Sequence, residues 1–553
     1  FSSRRRHTRY GTVTGVQTCA LPIFGSLTGQ QQGILFGESG LNNAPSAAYN
    51  ASVSNVSIQN NYIDMVNTAS SGGPRGLVLG NQFQGTLPNG SKAAITYSGF
   101  QIDGNTIKAS NVPLFQSQLQ TTLDTINITN NSFSDARNGV SIGATMTNGK
   151  FNNNTVQDIS AGNGATLNLI NSEAQGNTIR RVGGSALVIA GGNAASPVYF
   201  APSSNSIVAN NVITYNDVAA SSSATYRAGL DLQPDNGVAG TTGVQANGIT
   251  LAGNSFINAG FSSSLPVVAI AQRSSGTTLN AVNDSANTFN GVPLSGSATT
   301  AQLQAIADQV ADRIDASNLG AVTLRSGHVF VTPNSFWAPS STSQADVQRA
   351  VAAAAAGNTI WIQSGAYAAG TATAAVDNLT LNVPSGVSGF SGLSLGSGVS
   401  NATLAGDGAA QLIGNSTDNI LTANTGVNTL SGADGNDSFV FTISALSSAD
   451  SISGGNGTDT LSLADSGSLS DSAFTNVSGV EVLALAAGGN SLSLSSALNA
   501  SGITTVQGGS GTDSLTLAGD QTLTLSGGSA ISIGAVTYNS IEQVSLSGGN
   551  STL

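Results

Sequence analysis

Cysteine is all but missing from this chain: Cys19 is the single one in 553 residues. One thiol can build neither a disulfide framework nor a cysteine-ligated metal site. Charge is also sparse, at 8% of residues, with 16 Lys+Arg against 28 Asp+Glu for a net charge of −12. That low density, beside 39% hydrophobic residues, excludes a disordered polyelectrolyte. The acidic balance argues against nucleic acid or an anionic membrane surface as a partner. Aromatics make up only 5%. No stretch approaches the roughly 18 consecutive apolar residues of a transmembrane helix, so no membrane span is expected. What remains is rich in small residues. Sixty-eight glycines and thirteen prolines are scattered through aliphatic runs, a mix that suits many short strands joined by tight turns. The length allows two or more domains.

The first 24 residues share none of this character. "SSRRRHTRY" carries four of the sixteen basic residues, and "VTGVQTCALPI" follows it. A positive region before a secretory signal would need 7–15 apolar residues after it, and none follows. The stretch resembles instead the conceptual translation of a common short-read sequencing adapter. Residues 1–24 are therefore read as an assembly scar, expected to make no defined packing contacts, and both natural termini are expected to lie outside this sequence.

Self-similarity is the strongest signal in the rest. The pattern aliphatic-x-aliphatic-x-x-Asn-x-aliphatic recurs as "VSIQNNYI", "FQIDGNTI", "INITNNSF" and "GKFNNNTV", with weaker copies at "EAQGNTI", "IVANNVI" and "ITLAGNSF". Its asparagines Asn105, Asn131, Asn154 and Asn177 fall at steps of 26, 23 and 23 residues, followed by Asn211 and Asn254. Alternation makes each copy a short half-buried strand. The asparagines suit left-handed corners and, stacked coil on coil, a ladder of side-chain amides. Leucine-rich repeats share this spacing. Between copies, however, lies a second strand-like segment rather than a helix: "GLVLG", "GVSIG", "TLNLI", "ALVIA", "GLDLQ". These residues resemble the right-handed parallel β-helix repeats of the pectate-lyase-like superfamily, over about residues 55–291.

The alternation then breaks. "TTAQLQAIADQVADRIDAS" puts Leu303, Ile306, Val310 and Ile314 on one helical face. A second helix in "SQADVQRAVAAAAAG" has Ser343 as its expected N-cap, Asp346 in the first turn and Gly357 past its end. The stretch from "HVFVTPN" onward resembles the opening of many β-helix domains, in which a helix caps the core and the first coil follows. The expected organisation is a β-helix over 25–298, a helical cap and the start of a second solenoid over 299–402, and a final repeat region over 403–553.

In that last region the period shortens to nine: Leu412, Leu421, Leu430 and Phe439 keep the step, as do Asn419, Asn428 and Asp437. "GADGNDSFV", "GGNGTDTLS" and "GGSGTDSLT" match or nearly match the Gly-Gly-x-Gly-x-Asp repeat. They resemble the RTX, or haemolysin-type, calcium-binding family. Ca²⁺ takes 6–8 hard oxygen ligands, which glycine turns supply as carbonyls and aspartates as carboxylates. The resemblance implies Ca²⁺ as cofactor, with Gly432, Asp434, Gly435, Asp437, Gly455, Gly457, Asp459, Gly509, Gly511 and Asp513 around it. Glu481 and Glu542, at corresponding places in a longer repeat, read as solvated edge residues. The fold class expected is all-β: a right-handed parallel β-helix, then an RTX-like β-roll, with a short helical interruption.

Two functions are open. A β-helix followed by RTX repeats resembles certain secreted polysaccharide epimerases and lyases, whose sites need a base, an acid and carboxylates on one face. The candidate cluster is Tyr226, Arg227, Asp231 and Asp235 in "YRAGLDLQPD", with no histidine available between residue 24 and His328. Low charge and long Ser/Thr/Asn/Gly solenoids fit the other reading, a bacterial adhesin or surface-layer rod, extracellular or at the cell surface, with calcium and polysaccharide or cell-surface glycans as partners. A rod needs no pocket, since stacking alone buries its core.

Overall fold

A computed structural model describes residues 50–66, 75–79, 94–116, 121–193, 201–221, 224–234, 243–280, 286–337, 344–494, 498, 501–519, 522–526 and 530–547, with isolated strands at 13–14 and 32–36. The described residues divide into two compact units: those up to Arg325 together with Trp337, and residues 326–336 together with those from 344 onward.

The first unit is a parallel β-solenoid built from four stacked sheets of six, seven, nine and nine strands. One coil visits all four in turn. The second described coil, for instance, runs through Ala94–Ser98, Gln101–Asp103, Thr106–Ala109 and Val112–Gln116. Inward positions stack in register: Ile58, Ile102, Ile128, Phe151 and Ala174 form one column, and Ile63, Ile107, Phe133, Val156 and Ile179 the next. All ten are buried. Each such Ile or Phe contributes about 1.5–3 kcal/mol by leaving water. Antiparallel pairing in this unit is confined, among the described residues, to two short pairs: Gly192–Asn193 with Gly243–Val244, and Thr288–Phe289 with Val292–Pro293.

Asparagine does two jobs at the corners, and adjacent residues share them. The residue before each ladder position takes the left-handed backbone: Asn60, Gly104, Asn130, Asn153, Gly176, Asn210 and Gly253 all have φ between 53° and 65°. The ladder asparagine itself is held inward. Asn105 donates from its backbone N–H and its Nδ2 to Asn131 Oδ1, both at 2.9 Å, and Nδ2 also reaches Ile58 O of the previous coil at 2.8 Å. The same pattern runs through Asn61, Asn105, Asn131, Asn154, Asn177, Asn211 and Asn254 to Asn287. From Asn105 to Asn254 the oxygen and the nitrogen of every one of these buried side-chain amides are thereby satisfied along the stack.

The helix expected after residue 300 is shorter than its pattern. It spans Thr300–Ala307, with a capping box between Thr299 and Gln302 and with Leu303 and Ile306 buried. Val310 lies instead in the strand Val310–Ala311, which adds in parallel to Val267–Gln272. Ile314 sits in the turn after it, where its N–H donates to Asp312. The β-sheet edge outcompetes the helical periodicity there. The second helix is Val347–Ala353, and its N-cap is Asp346, whose side chain accepts from Gln348 N. Ser343 lies outside the described residues.

The second unit is also a parallel solenoid, with sheets of twelve, six and four strands. Leu412 pairs with Leu430 and Leu421 with Phe439, so two nine-residue steps make one coil and alternate units face opposite sheets. Later coils lengthen: Leu430 pairs with Ile452, and Phe439 with Leu461. Leu523–Ser526, Ala530–Ile533 and Val536–Asn539 form an antiparallel meander.

The head departs from expectation at one point: Val13–Thr14 pairs in parallel with Val53–Ser54. Cys19 lies outside the described residues.

Candidate functional site

In the second unit the repeat aspartates form a ladder of their own. Asn419 N donates to Asp437 Oδ1 (2.8 Å), Asp437 N to Asp459 Oδ1 (2.7 Å), and Asp459 N to Glu481 Oε2 (2.8 Å). A second stack runs from Asn490 N to Asp513 Oδ1 (2.9 Å) and from Asp513 N to Glu542 Oε2 (2.7 Å). Glu481, half-buried, and Glu542, exposed as expected, thus each also serve as a rung of these stacks. The 22-residue step from Asp437 to Asp459 to Glu481, shared with the core column of Phe439, Leu461 and Leu483, is the signal that reveals them.

Where the second carboxylate oxygen goes separates the rungs. Asp513 Oδ2 accepts from Gly509 N at 2.8 Å. Asp450, which takes Asn428 N on one oxygen, takes Ser447 N and Oγ on the other. Asp437 Oδ2 and Asp459 Oδ2 are buried with no hydrogen-bond partner. Each lies against a glycine: a Cβ on Gly432 would stand 2.1 Å from Asp437 Oδ2 and 2.6 Å from the Gly454 carbonyl oxygen. One on Gly454 would stand 2.4 Å from Asp459 Oδ2 and 1.7 Å from the Gly479 carbonyl oxygen. Burial pushes the Asp437 carboxyl up to about 6, with Asp459, Asp418 and Asp434 adding like charge. Burial and Glu481 raise Asp459 likewise.

Among the described residues no cluster of three or more His, Cys, Asp or Glu side chains gathers as a metal site. The orphaned oxygens, beside glycine carbonyls of the next coil, nevertheless suit a hard cation bound largely by main-chain oxygen. Gly435, Gly455 and Gly457 hold positive φ of 112–142° in these turns, and Asp434 is exposed, accepting from Asn456 Nδ2 at 2.8 Å. Gly509, Gly511 and Asp513 offer no such orphan. When bound there, Ca²⁺ would neutralise the stacked carboxylates. The chain's own part is to hold their oxygens at fixed stations on successive coils.

In the first unit the outward face of the nine-stranded sheet carries a groove of about 530 Å³. Asp231, on Arg227–Leu232, is fully buried at its wall. Asp231 Oδ2 accepts from the Tyr226 hydroxyl and from Gln233 Nε2 (3.1 Å), and Arg273 Nη1 lies 3.5 Å away. Arg273 also donates to the Tyr226 oxygen, and Trp337 meets the Tyr226 ring edge-on at 5.3 Å. Asp231 Oδ1 has no partner. Burial raises the Asp231 carboxyl, and burial together with Asp231 raises the Tyr226 phenol.

Arg227 is not part of this cluster. Its guanidinium is 1% exposed and donates to Val182 O (2.6 Å), Val218 O (2.6 Å) and Asn216 Oδ1 (3.2 Å), fastening the loop before it to the coil. Asp235 lies outside the described residues. Arg273, missed from the sequence, is brought in because Asp231 pairs with Ala271, which sets residue 273 beside Gln233.

No model of a known protein family matches the chain, and no curated protein matches it in sequence. No described helix is long and apolar enough to cross a membrane.

Proposed function

We propose that this chain belongs to a bacterial extracellular or cell-surface β-solenoid protein of adhesin or surface-layer type, whose second unit is stabilised by Ca²⁺. The observation that carries the reading is the pair of partnerless buried oxygens, Asp437 Oδ2 and Asp459 Oδ2, on successive rungs. A buried ionised oxygen without a donor costs free energy that a bound cation removes. The first unit supports the scaffold reading from the other side, because its amide ladder closes with no ion at all.

Binding to the folded state alone stabilises by RT ln(1 + [L]/Kd), about 2.7 kcal/mol at a hundredfold excess over Kd. The full chain is heated in calcium and in chelator while hydrogen exchange is followed along it. Protection should rise around residues 430–484 and stay unchanged around Asn105 to Asn254. Equal melting and equal exchange in both buffers would refute calcium binding. The structural Arg227, whose guanidinium is engaged by main-chain carbonyls, weighs against a polysaccharide lyase or epimerase site.

A further inference from the structure

The second unit closes one end of its twelve-stranded sheet with a short edge strand, His328–Val331, paired in parallel with Thr359–Ile362. A strand this short is weakly held, and an edge carries unpaired N–H and C=O groups on its free side. Inward, Val329 and Val331 lie beside Ile360 and Ile362, and all four are buried. Outward, alternation sets His328 and Phe330 on the edge strand next to Thr359 and Trp361 on its neighbour. Three rings cluster there: His328 stands 6.3 Å from Phe330 and 6.1 Å from Trp361, centroid to centroid. Phe330, within that cluster, is only 3% exposed.

One directional bond joins the two strands through these side chains. Trp361 Nε1 donates to His328 Nδ1 at 2.9 Å. An indole N–H can only donate, so Nδ1 must keep its lone pair and the proton of a neutral imidazole must sit on Nε2. A doubly protonated imidazole is a donor at both nitrogens and has no acceptor for the indole. In water an imidazole takes that second proton near pH 6.5.

Charged groups on the elements packed here are engaged elsewhere. Thr359–Ile362 has no titratable side chain. The helix Val347–Ala353, which packs on both strands, brings Arg349. Its guanidinium donates to Ser335 O and Gln344 O, both at 3.0 Å, and lies 3.9 Å from Asp346. At the corner of the following coil, Asp377 Oδ1 accepts from the N–H groups of Asn378, Ser400 and Asn401.

We propose that His328 and Trp361 form a pH-sensitive latch on this edge strand, closed while His328 is neutral and open once it is protonated. A proton from solvent takes the Nδ1 lone pair that the indole N–H held, and two donors then face each other. The strand is left with its main-chain pairing and two inward valines, so it frays and bares the edge of Thr359–Ile362. The latch is present above about pH 6.5 and lost below it. Loss of one net hydrogen bond raises the population of the opened strand about two- to tenfold. Neither calcium nor the carboxylate ladder enters the step.

The test uses the full chain, its tryptophans labelled with nitrogen-15, in calcium and again in chelator so that the outcome does not depend on the calcium reading. Trp337 and Trp361 are the two tryptophans of the chain, and the indole signal missing in Trp361→Phe is that of Trp361. That signal should shift between about pH 7.5 and about pH 5.5, one unit either side of the ordinary imidazole value. His328→Asn puts an amide oxygen where Nδ1 stood, an acceptor that does not titrate, and should abolish the shift. Hydrogen exchange of the His328–Val331 amides is compared between the parent and His328→Asn at each pH. The ratio of parent to variant should rise about two- to tenfold on going to the lower pH. The parent's exchange alone, corrected for its intrinsic pH dependence, gives the same reading should the variant misfold. A Trp361 signal that does not move, a shift that persists in His328→Asn, or strand exchange indifferent to pH would overturn the proposal.

Discussion

Truncating one rung of the buried amide ladder should cost far more than its size suggests. Asn154 Oδ1 accepts from Asn131 N and Asn131 Nδ2, both at 3.0 Å, while Asn154 Nδ2 donates to Ile128 O at 2.9 Å and Asn177 Oδ1 at 3.1 Å. In Asn154→Ala, Asn131 Nδ2 keeps Ile102 O and Thr129 O, and Asn177 Oδ1 keeps Asn154 N. The Asn131 backbone N–H keeps nothing, inside a core where Asn154 is 1% exposed. An orphaned buried N–H costs about 1–3 kcal/mol, and the three other broken bonds about 0.5–1.5 kcal/mol each, giving about 5 kcal/mol in all. Asn138→Ala breaks one half-exposed amide contact and should cost under about 1 kcal/mol. Urea unfolding of both variants, with hydrogen exchange of the Asn131 amide, decides the matter. If Asn154→Ala shifts the transition of the first unit no more than Asn138→Ala does, the ladder is not a source of stability.

Gly454→Ala should destabilise the second unit by more than about 3 kcal/mol, since the new Cβ would stand 1.7 Å from the Gly479 carbonyl oxygen. Gly398→Ala, where the Cβ meets open space at φ +79°, should cost only the left-handed backbone term of about 1–2 kcal/mol, and thermal melts of the two separate the causes. Burial pushes Asp312 up to about 6 from 3.8. Its folded value being the higher, the stability it contributes is fully present below pH 3.8 and is lost as pH rises through about 6. Asp312→Asn should flatten that part of a stability–pH profile. Arg227→Met should cost about 2–4 kcal/mol in chemical unfolding, by stripping the donors of the Val182 and Val218 carbonyls, and a variant as stable as the parent would show that the clamp is idle.

The solenoid was legible because its two signals are local and repeated. Ile102, Asn105 and Ile107 announce an inward strand, a corner and the next strand, and the copy 26 residues later says the same. The division of labour at the corner was not legible: Gly104 and Asn130 take the left-handed angle, although the ladder asparagines looked equally suited to it. Helical periodicity misled at Val310 because an open sheet edge offers backbone hydrogen bonds that a frayed last turn lacks. In the groove, Tyr226 and Asp231 were found as near neighbours in sequence. Arg273 lies 42 residues from Asp231 and comes beside it only through strand register, which no local pattern encodes. Arg227 looked like a companion of Asp231 from its place in the same short stretch, yet carbonyls from two other segments capture it.

The two ladders differ by a single atom type, and that difference predicts how each responds to ions. An asparagine rung carries a donor and an acceptor, so a stack of amides closes on itself from Asn61 to Asn287. An ionised aspartate rung carries only acceptors: one oxygen takes the N–H of the previous coil, and the other must find a donor elsewhere. Asp513 finds Gly509 N and Asp450 finds Ser447, whereas Asp437 and Asp459 find none. Replacing both orphans, as Asp437→Asn with Asp459→Asn, keeps the Oδ1 acceptors and puts an Nδ2 donor where each partnerless oxygen stood, beside the Gly454 and Gly479 carbonyls. The doubly substituted chain should melt higher than the parent in chelator, by roughly 1–3 kcal/mol for each orphan removed, and should lose its response to calcium. A double variant that melts lower than the parent in chelator, or that still responds to calcium, would place the cation elsewhere.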